Sequence, residues 1–153
     1  MLLTKRNEYA LQAMILLAKN RTGDRLSAQA LARRLGASSG FMSKIAQRLA
    51  AAGLVTAWRG KGGGLSLARR PERIRVRDIF RAVDGTLRVS QCMEEGRCTH
   101  LICPIFATLH KVQDELDREI NAAKLSKFVS VRSARSPKGH AREPIKTVTR
   151  KNT

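Results

Sequence analysis

The chain has 153 residues, 42% of them hydrophobic, and carries a formal net charge of +18 with an isoelectric point near 11.3. That length suits one domain with an appendage, and the charge points to a polyanionic partner such as DNA, RNA or an anionic surface. No apolar run approaches the roughly 18–20 residues of a membrane span, and the N-terminal stretch has charges inside an amphipathic pattern and no small-residue cleavage site, so a cytoplasmic protein without structural disulfides is expected.

Apolar residues at Ala10, Ala13, Met14, Leu17 and Ala18 have helical spacing, with Thr4 placed to cap the helix. A turn over residues 20–24 follows. Leu26-Ser27 then opens a short helix over residues 28–35, with Leu26 as a hydrophobic staple, Ser27 as N-cap and Gly36 as terminator. Ser38 or Ser39 caps a third helix reaching about Ala52, with an apolar face of Phe41 or Met42, Ile45, Leu49 and Ala52, and Gly53 at its C′ position. Two short helices joined by a tight glycine turn in a basic protein match a helix-turn-helix.

Residues 54–58 read as a strand, residues 59–64 as a glycine-rich tip and residues 65–68 as the return strand. A hairpin directly after a helix-turn-helix is a wing. Residues 74–76 read as a short strand and residues 77–83 as a helix stopped at Asp84-Gly85. Residues 86–102 are irregular. Pro104 opens a long helix to about Lys124 with apolar positions Ile105, Leu109, Val112, Leu116, Ile120 and Ala123, a spacing close to a coiled-coil seam that suggests a homodimer. Between Lys127 and Lys151 there are eight basic residues against one acid, Glu143, which reads as a disordered basic tail making sequence-independent contacts with phosphates.

The fold class is therefore mainly α: a winged helix-turn-helix domain with a small β-hairpin wing over residues 1–85, a cysteine loop and long dimerisation helix over residues 86–126, and the tail over residues 127–153. Base-reading candidates are Ser38, Ser39, Ser43, Lys44 and Gln47 at the start of the second helix of the motif. Arg33 and Arg34 belong near the DNA backbone, and Arg59 and Lys61 flank the wing tip, where a narrow minor groove attracts cations. The partner is then a double-stranded DNA operator.

All three cysteines, Cys92, Cys98 and Cys103, fall within twelve residues. Thiolates so placed can share one centre, either an iron–sulfur cluster or zinc, and the odd count leaves a position for Glu8, His100 or His110. Free redox thiols are the alternative. An enzyme or electron carrier lacks support, since there are only three histidines and no phosphate-binding glycine motif. An RNA-binding module would need stacking aromatics, which make up 4%.

Taken together, residues 1–125 resemble the Rrf-two family of winged-helix transcription regulators (the IscR, NsrR and RirA type). The stretches that carry the resemblance are Leu3-Thr4-Lys5 with Tyr9-Ala10-Leu11, Gly53-Leu54-Val55, Arg59 through Leu65 of the wing, Val76 to Gly85, and the three cysteines. The resemblance implies a homodimeric repressor or activator with a [2Fe-2S] or [4Fe-4S] cluster on Cys92, Cys98 and Cys103. It also implies a cross-subunit carboxylate ligand at Glu8, as in NsrR-like members, and a DNA contact from Arg59. Five features depart from the pattern. The spacing from Cys98 to Cys103 is one residue short, Phe106 stands where IscR-like members carry a histidine ligand, Leu2 replaces the usual arginine, Ser43 replaces a base-discriminating glutamate, and the basic tail has no counterpart. The resemblance is nearest to the NsrR-like members and so implies nitric oxide as the signal, with iron or redox state close behind.

Overall fold

A computed structural model describes residues 3–20, 24–60, 62–90 and 104–129. Helix α1 (Lys5–Lys19) begins where the Thr4 side chain accepts a hydrogen bond from the Asn7 backbone. It buries Ala10, Ala13, Met14 and Leu17 along one stripe, as the sequence spacing predicts. Helix α2 (Ala28–Leu35) is capped by Ser27, and Gly36 ends it in the left-handed region at φ 67°. Helix α3 (Ser39–Ala51) is capped by Ser38. Gly53 follows at φ 65°, and the Leu54 amide donates back to the Leu49 carbonyl, which closes the helix end.

The wing is an antiparallel pair, β1 (Val55–Trp58) and β2 (Gly64–Leu67), with Val55 opposite Leu67 and Trp58 opposite Gly64. A single 3-10 turn (Pro71–Arg73) leads to α4 (Val76–Asp84), where Asp78 reaches back to accept from the Arg75 amide. Helix α5 (Phe106–Ala122) and the short α6 (Leu125–Val129) complete the described chain.

Met14, Met42, Ile45, Ile74, Ile79, Val83 and Leu125 are all fully enclosed, so α1, α3, α4 and α6 share one core. Polar ties hold the same elements in register. Asp84 accepts hydrogen bonds from Thr4 and from the Arg6 guanidinium, which locks the start of α1 to the end of α4. Arg48 donates to the Val83 carbonyl and joins α3 to the same point.

Several sequence expectations change in detail. Residues 74–76 form no strand, because their neighbour is the chain just before α6: Arg75 and Lys124 make an isolated bridge, and Val76 already opens α4. The backbone of Leu26 also pairs with Leu65 of the wing, a tie the sequence did not announce, while its side chain is buried in the same core cluster as Leu31. Ala52 is exposed, and Ala46 takes the inward position expected for it. The long helix starts at Phe106, with Pro104 and Ile105 in a turn. The boundary at residue 127 falls inside α6, where the core holds Leu125 and half-buried Phe128 packs against it. Most of the proposed tail, residues 130–153, lies outside the described residues.

Because Leu125 is fully buried and its amide donates to the Ile74 carbonyl at 2.8 Å, α6 is part of the fold. Leu125→Ala is expected to cost about 2–5 kcal/mol of unfolding free energy. Urea denaturation of the full chain measures this, and a loss below about 0.5 kcal/mol would show α6 to be dispensable.

Candidate nucleic-acid interface and sensor segment

Three residues, Gly36, Ala37 and Ser38, join α2 to α3. Leu31 and Ala32 of α2 are buried with Met42, Ile45, Ala46 and Leu49 of α3 in the same core cluster. The helical period then turns Ser39, Lys44 and Gln47 outward, and all three are exposed. Ser43 is half-buried at the edge of that face. Ser38 is exposed but committed to its helix, since its hydroxyl accepts from the Phe41 amide at 3.3 Å. Arg33 and Arg34 close α2 and are both exposed. The structure thus gathers the predicted base-reading set along one helix, with two guanidiniums at its approach.

The wing carries Arg59, exposed at its tip; Lys61 lies outside the described residues. The hairpin is fastened at its base from the other side. Leu26 exchanges backbone hydrogen bonds with Leu65 at 3.1 and 2.9 Å. The Arg25 guanidinium lies 4.2 Å from the centre of the Trp58 ring, whose indole N–H donates to Ser66 at 3.4 Å. Such a cation–π pair fixes the wing relative to the start of α2. Gly63 is required at the tip, because a Cβ there would sit 2.4 Å from the Trp58 carbonyl oxygen.

Sequence reasoning missed Arg25, Arg69 and Arg70. The signal was present: from Arg25 to Arg70 there are nine basic residues and no acidic one. Such a stretch gives the helix-turn-helix and wing a uniformly positive face.

The three cysteines, with His100, lie outside the described residues. What leads into them is well held. Gln113, buried on α5, donates from its amide nitrogen to the Leu87 carbonyl at 3.0 Å and accepts from the Val89 amide at 2.9 Å. The chain leaving α4 is therefore pinned to α5 just before the first cysteine, and it returns to the start of α5 just after the last. Glu8 is exposed in the first turn of α1, and among the described residues no hydrogen bond or ion pair holds its carboxylate. His110 is exposed on α5, its ring centre 4.3 Å from that of Phe106. Among the described residues no group of three metal-ligating side chains comes together.

On α5, Leu116 and Ile120 pack against the core, as does Ala123 just beyond its end. Towards its start, Ile105, Phe106 and Val112 stand 58%, 41% and 47% exposed. The apolar seam thus divides into a half that covers its own domain and a half that faces outward. No helix among the described residues is long and apolar enough to cross a membrane.

A helix-turn-helix with a fastened wing and a uniformly basic outer face defines a winged-helix DNA-binding transcription regulator. The model of the Rrf2 family, described as an iron-dependent transcriptional regulator, matches residues 3–130, and the chain belongs to that family. It is 28% identical over 116 residues to the HTH-type transcriptional regulator NsrR of Bacillus subtilis, covering 76% of this chain and 80% of that protein. Its structure is similar to IscR of T. potens, with a TM-score of 0.70 and 26% identity over 91% of this chain and 94% of that one. It shares its fold with CymR, the global cysteine regulator of B. subtilis, with a TM-score of 0.67 and 23% identity over 85% of this chain and 97% of that one. These relatives are regulators of transcription and the chain is not an enzyme.

Gly63→Ala tests the wing geometry. The added methyl group displaces the tip, so affinity for duplex DNA is expected to fall by about tenfold or more while thermal stability stays near that of the parent, since the wing tip lies outside the core. Fluorescence anisotropy and a melting curve on the same sample check both halves of this expectation.

Proposed function

We propose that the protein is a homodimeric repressor that holds an iron–sulfur cluster on Cys92, Cys98 and Cys103 and alters its grip on an operator when that cluster changes state. The observation that carries this reading is the Gln113 pin. The thiol-bearing segment is tied to α5 at both ends, and the same helix presents an unsatisfied apolar half-seam. A change at the thiols is therefore delivered to the helix on which two copies would meet.

The donor set fits the group. Three thiolates suit iron–sulfur chemistry, and the exposed Glu8 carboxylate, unpaired among the described residues, can complete the set as a harder, more labile ligand. His100 and His110 are the other candidates for that position. Bound there, the cluster would supply a centre reactive toward nitric oxide, oxidants or iron depletion. The family description supports iron, and nitric oxide is carried over as the signal from the NsrR-like pattern of three cysteines with a carboxylate at Glu8.

In this reading Ser39, Ser43, Lys44 and Gln47 meet base edges and Ser38 orients the helix start. Arg33 and Arg34 hold the backbone, and Arg59 with Lys61 enters the minor groove. The outward apolar half of α5 is the dimer contact, since Ile105, Phe106 and Val112 together form a patch that a second copy would cover.

Anaerobically purified protein is expected to be coloured, with visible absorption that nitric oxide bleaches. Cys98→Ala is expected to remove the colour and to change operator affinity by about 5- to 150-fold, the usual span of allosteric coupling. A colourless protein after anaerobic reconstitution with iron and sulfide would overturn the cluster, and zinc found in its place would assign the thiols to that metal. Lys44→Ala, by losing one phosphate or guanine contact, is expected to weaken binding and reduce the slope of log affinity against log salt by about 0.9 if the contact is to phosphate. Val112→Glu is expected to shift the protein to monomer in analytical ultracentrifugation.

A further inference from the structure

A cavity of about 190 Å³ lies between α4, residues 85–88 and the C-terminal half of α5. It belongs neither to the DNA-facing surface nor to the cysteine segment. Arg77, Arg81 and Arg88 line it, with Asp117 and Asn121 opposite in the chain on α5. Phe80, Leu87 and Ile120 supply its apolar wall. Beside the cavity, the Arg77 Nε and the Asn121 Oδ1 are enclosed by protein with no hydrogen-bond partner among the described residues. Among the described residues no ion pair joins Asp117 to any of the three guanidiniums.

The chemistry of the lining defines an occupant. Three guanidiniums against one carboxylate leave an excess of two positive charges, which the two carboxylates of a small diacid offset, and guanidinium is the group best shaped for carboxylate. Asp117 in the lining accepts but has no ion-pair partner among the described residues, so the occupant also carries an N–H or O–H. The volume is below the roughly 300–1,000 Å³ of drug-sized sites, which limits it to a short chain. We infer that this cavity binds a small dicarboxylate bearing an amine or hydroxyl group. Such a ligand would touch α4, the chain leading to Cys92, and α5 at once, and so stabilise the arrangement that Gln113 pins. This site does not depend on whether the thiols hold a cluster.

Isothermal titration calorimetry and thermal melting of the full chain at fixed ionic strength test the site, with aspartate, malate and inorganic phosphate as probes. Aspartate or malate is expected to bind saturably and to raise Tm by about 5 °C at high occupancy. The two arms distinguish an amine from a hydroxyl. Arg77→Gln and Arg88→Gln are each expected to weaken binding about tenfold or more. Lys5→Gln, which removes the same charge from an exposed position on α1, should leave it unchanged. The unliganded melting curves show whether each variant is folded, and Asn121→Leu provides a further variant without charge loss. Failure of both dicarboxylates to bind, tighter binding of phosphate than of either, or equal weakening by Lys5→Gln would each overturn the assignment.

Discussion

Two polar side chains among the described residues are buried in the body of the molecule, Asn7 and Gln113, and of these Gln113 has both ends of its amide engaged. Those two hydrogen bonds do what a strand would do elsewhere: they satisfy the backbone of an irregular segment as it crosses a helix. Without them, the Leu87 carbonyl and the Val89 amide would be covered by protein with no partner, at about 1–3 kcal/mol each. Leu87, buried beside them, adds an apolar anchor. The consequence reaches past stability. The segment that carries every cysteine enters from a point fixed on α5, so any ordering of the thiols acts on a held chain end and not on a free loop.

Charge is distributed along the chain as sharply as hydrophobicity. Residues 25–70 supply the basic face, whereas α5 carries Asp114, Glu115, Asp117 and Glu119 against Lys111 and Arg118. A net charge of +18 alone says only that a polyanion is preferred. Its segregation says which end approaches: the phosphate backbone attracts the helix-turn-helix and wing, and it repels the acidic stretch of α5. The protein thus reaches DNA already turned the right way round, before any base is read.

The local elements were legible because local physics decides them. Thr4, Ser27 and Ser38 each cap the helix that follows, and Gly36 and Gly53 each take the left-handed conformation at a helix end. The places where sequence reading differed from the structure are those where a distant partner decides. Residues 74–76 have the β-branched alternation of a strand, but the neighbour that Arg75 finds is Lys124, whose position no local pattern announces. Leu26 pairs with Leu65 for the same reason. Gln113 lies four residues after Leu109 and three before Leu116, so the helical period places it on the inward stripe, but that a glutamine is satisfied there depends on residues 87 and 89 lying across it. The basic face was legible residue by residue at Arg33, Arg34, Lys44 and Arg59, but its extent needed the wing fastened to Arg25.

How a change at the thiols would alter DNA binding follows from what cannot move. Helices α1, α3 and α4 share a closed core, with Asp84 and Arg48 tying their ends together, so the recognition helix is not easily tilted within its own domain. The inward half of α5 belongs to the same core, so the freedom that remains is how two such rigid bodies meet along the outward half of α5. In the proposed dimer two recognition helices must span half-sites about 34 Å apart, so each lies roughly 17 Å from the axis. A rotation of each body by about 5° about that axis then displaces its recognition helix by about 1.5 Å, more than a base-edge hydrogen bond tolerates. A rigid reading head on a fixed lever lets a small rearrangement near Cys92 become a large difference in grip, and it requires no deformation of the helix-turn-helix itself.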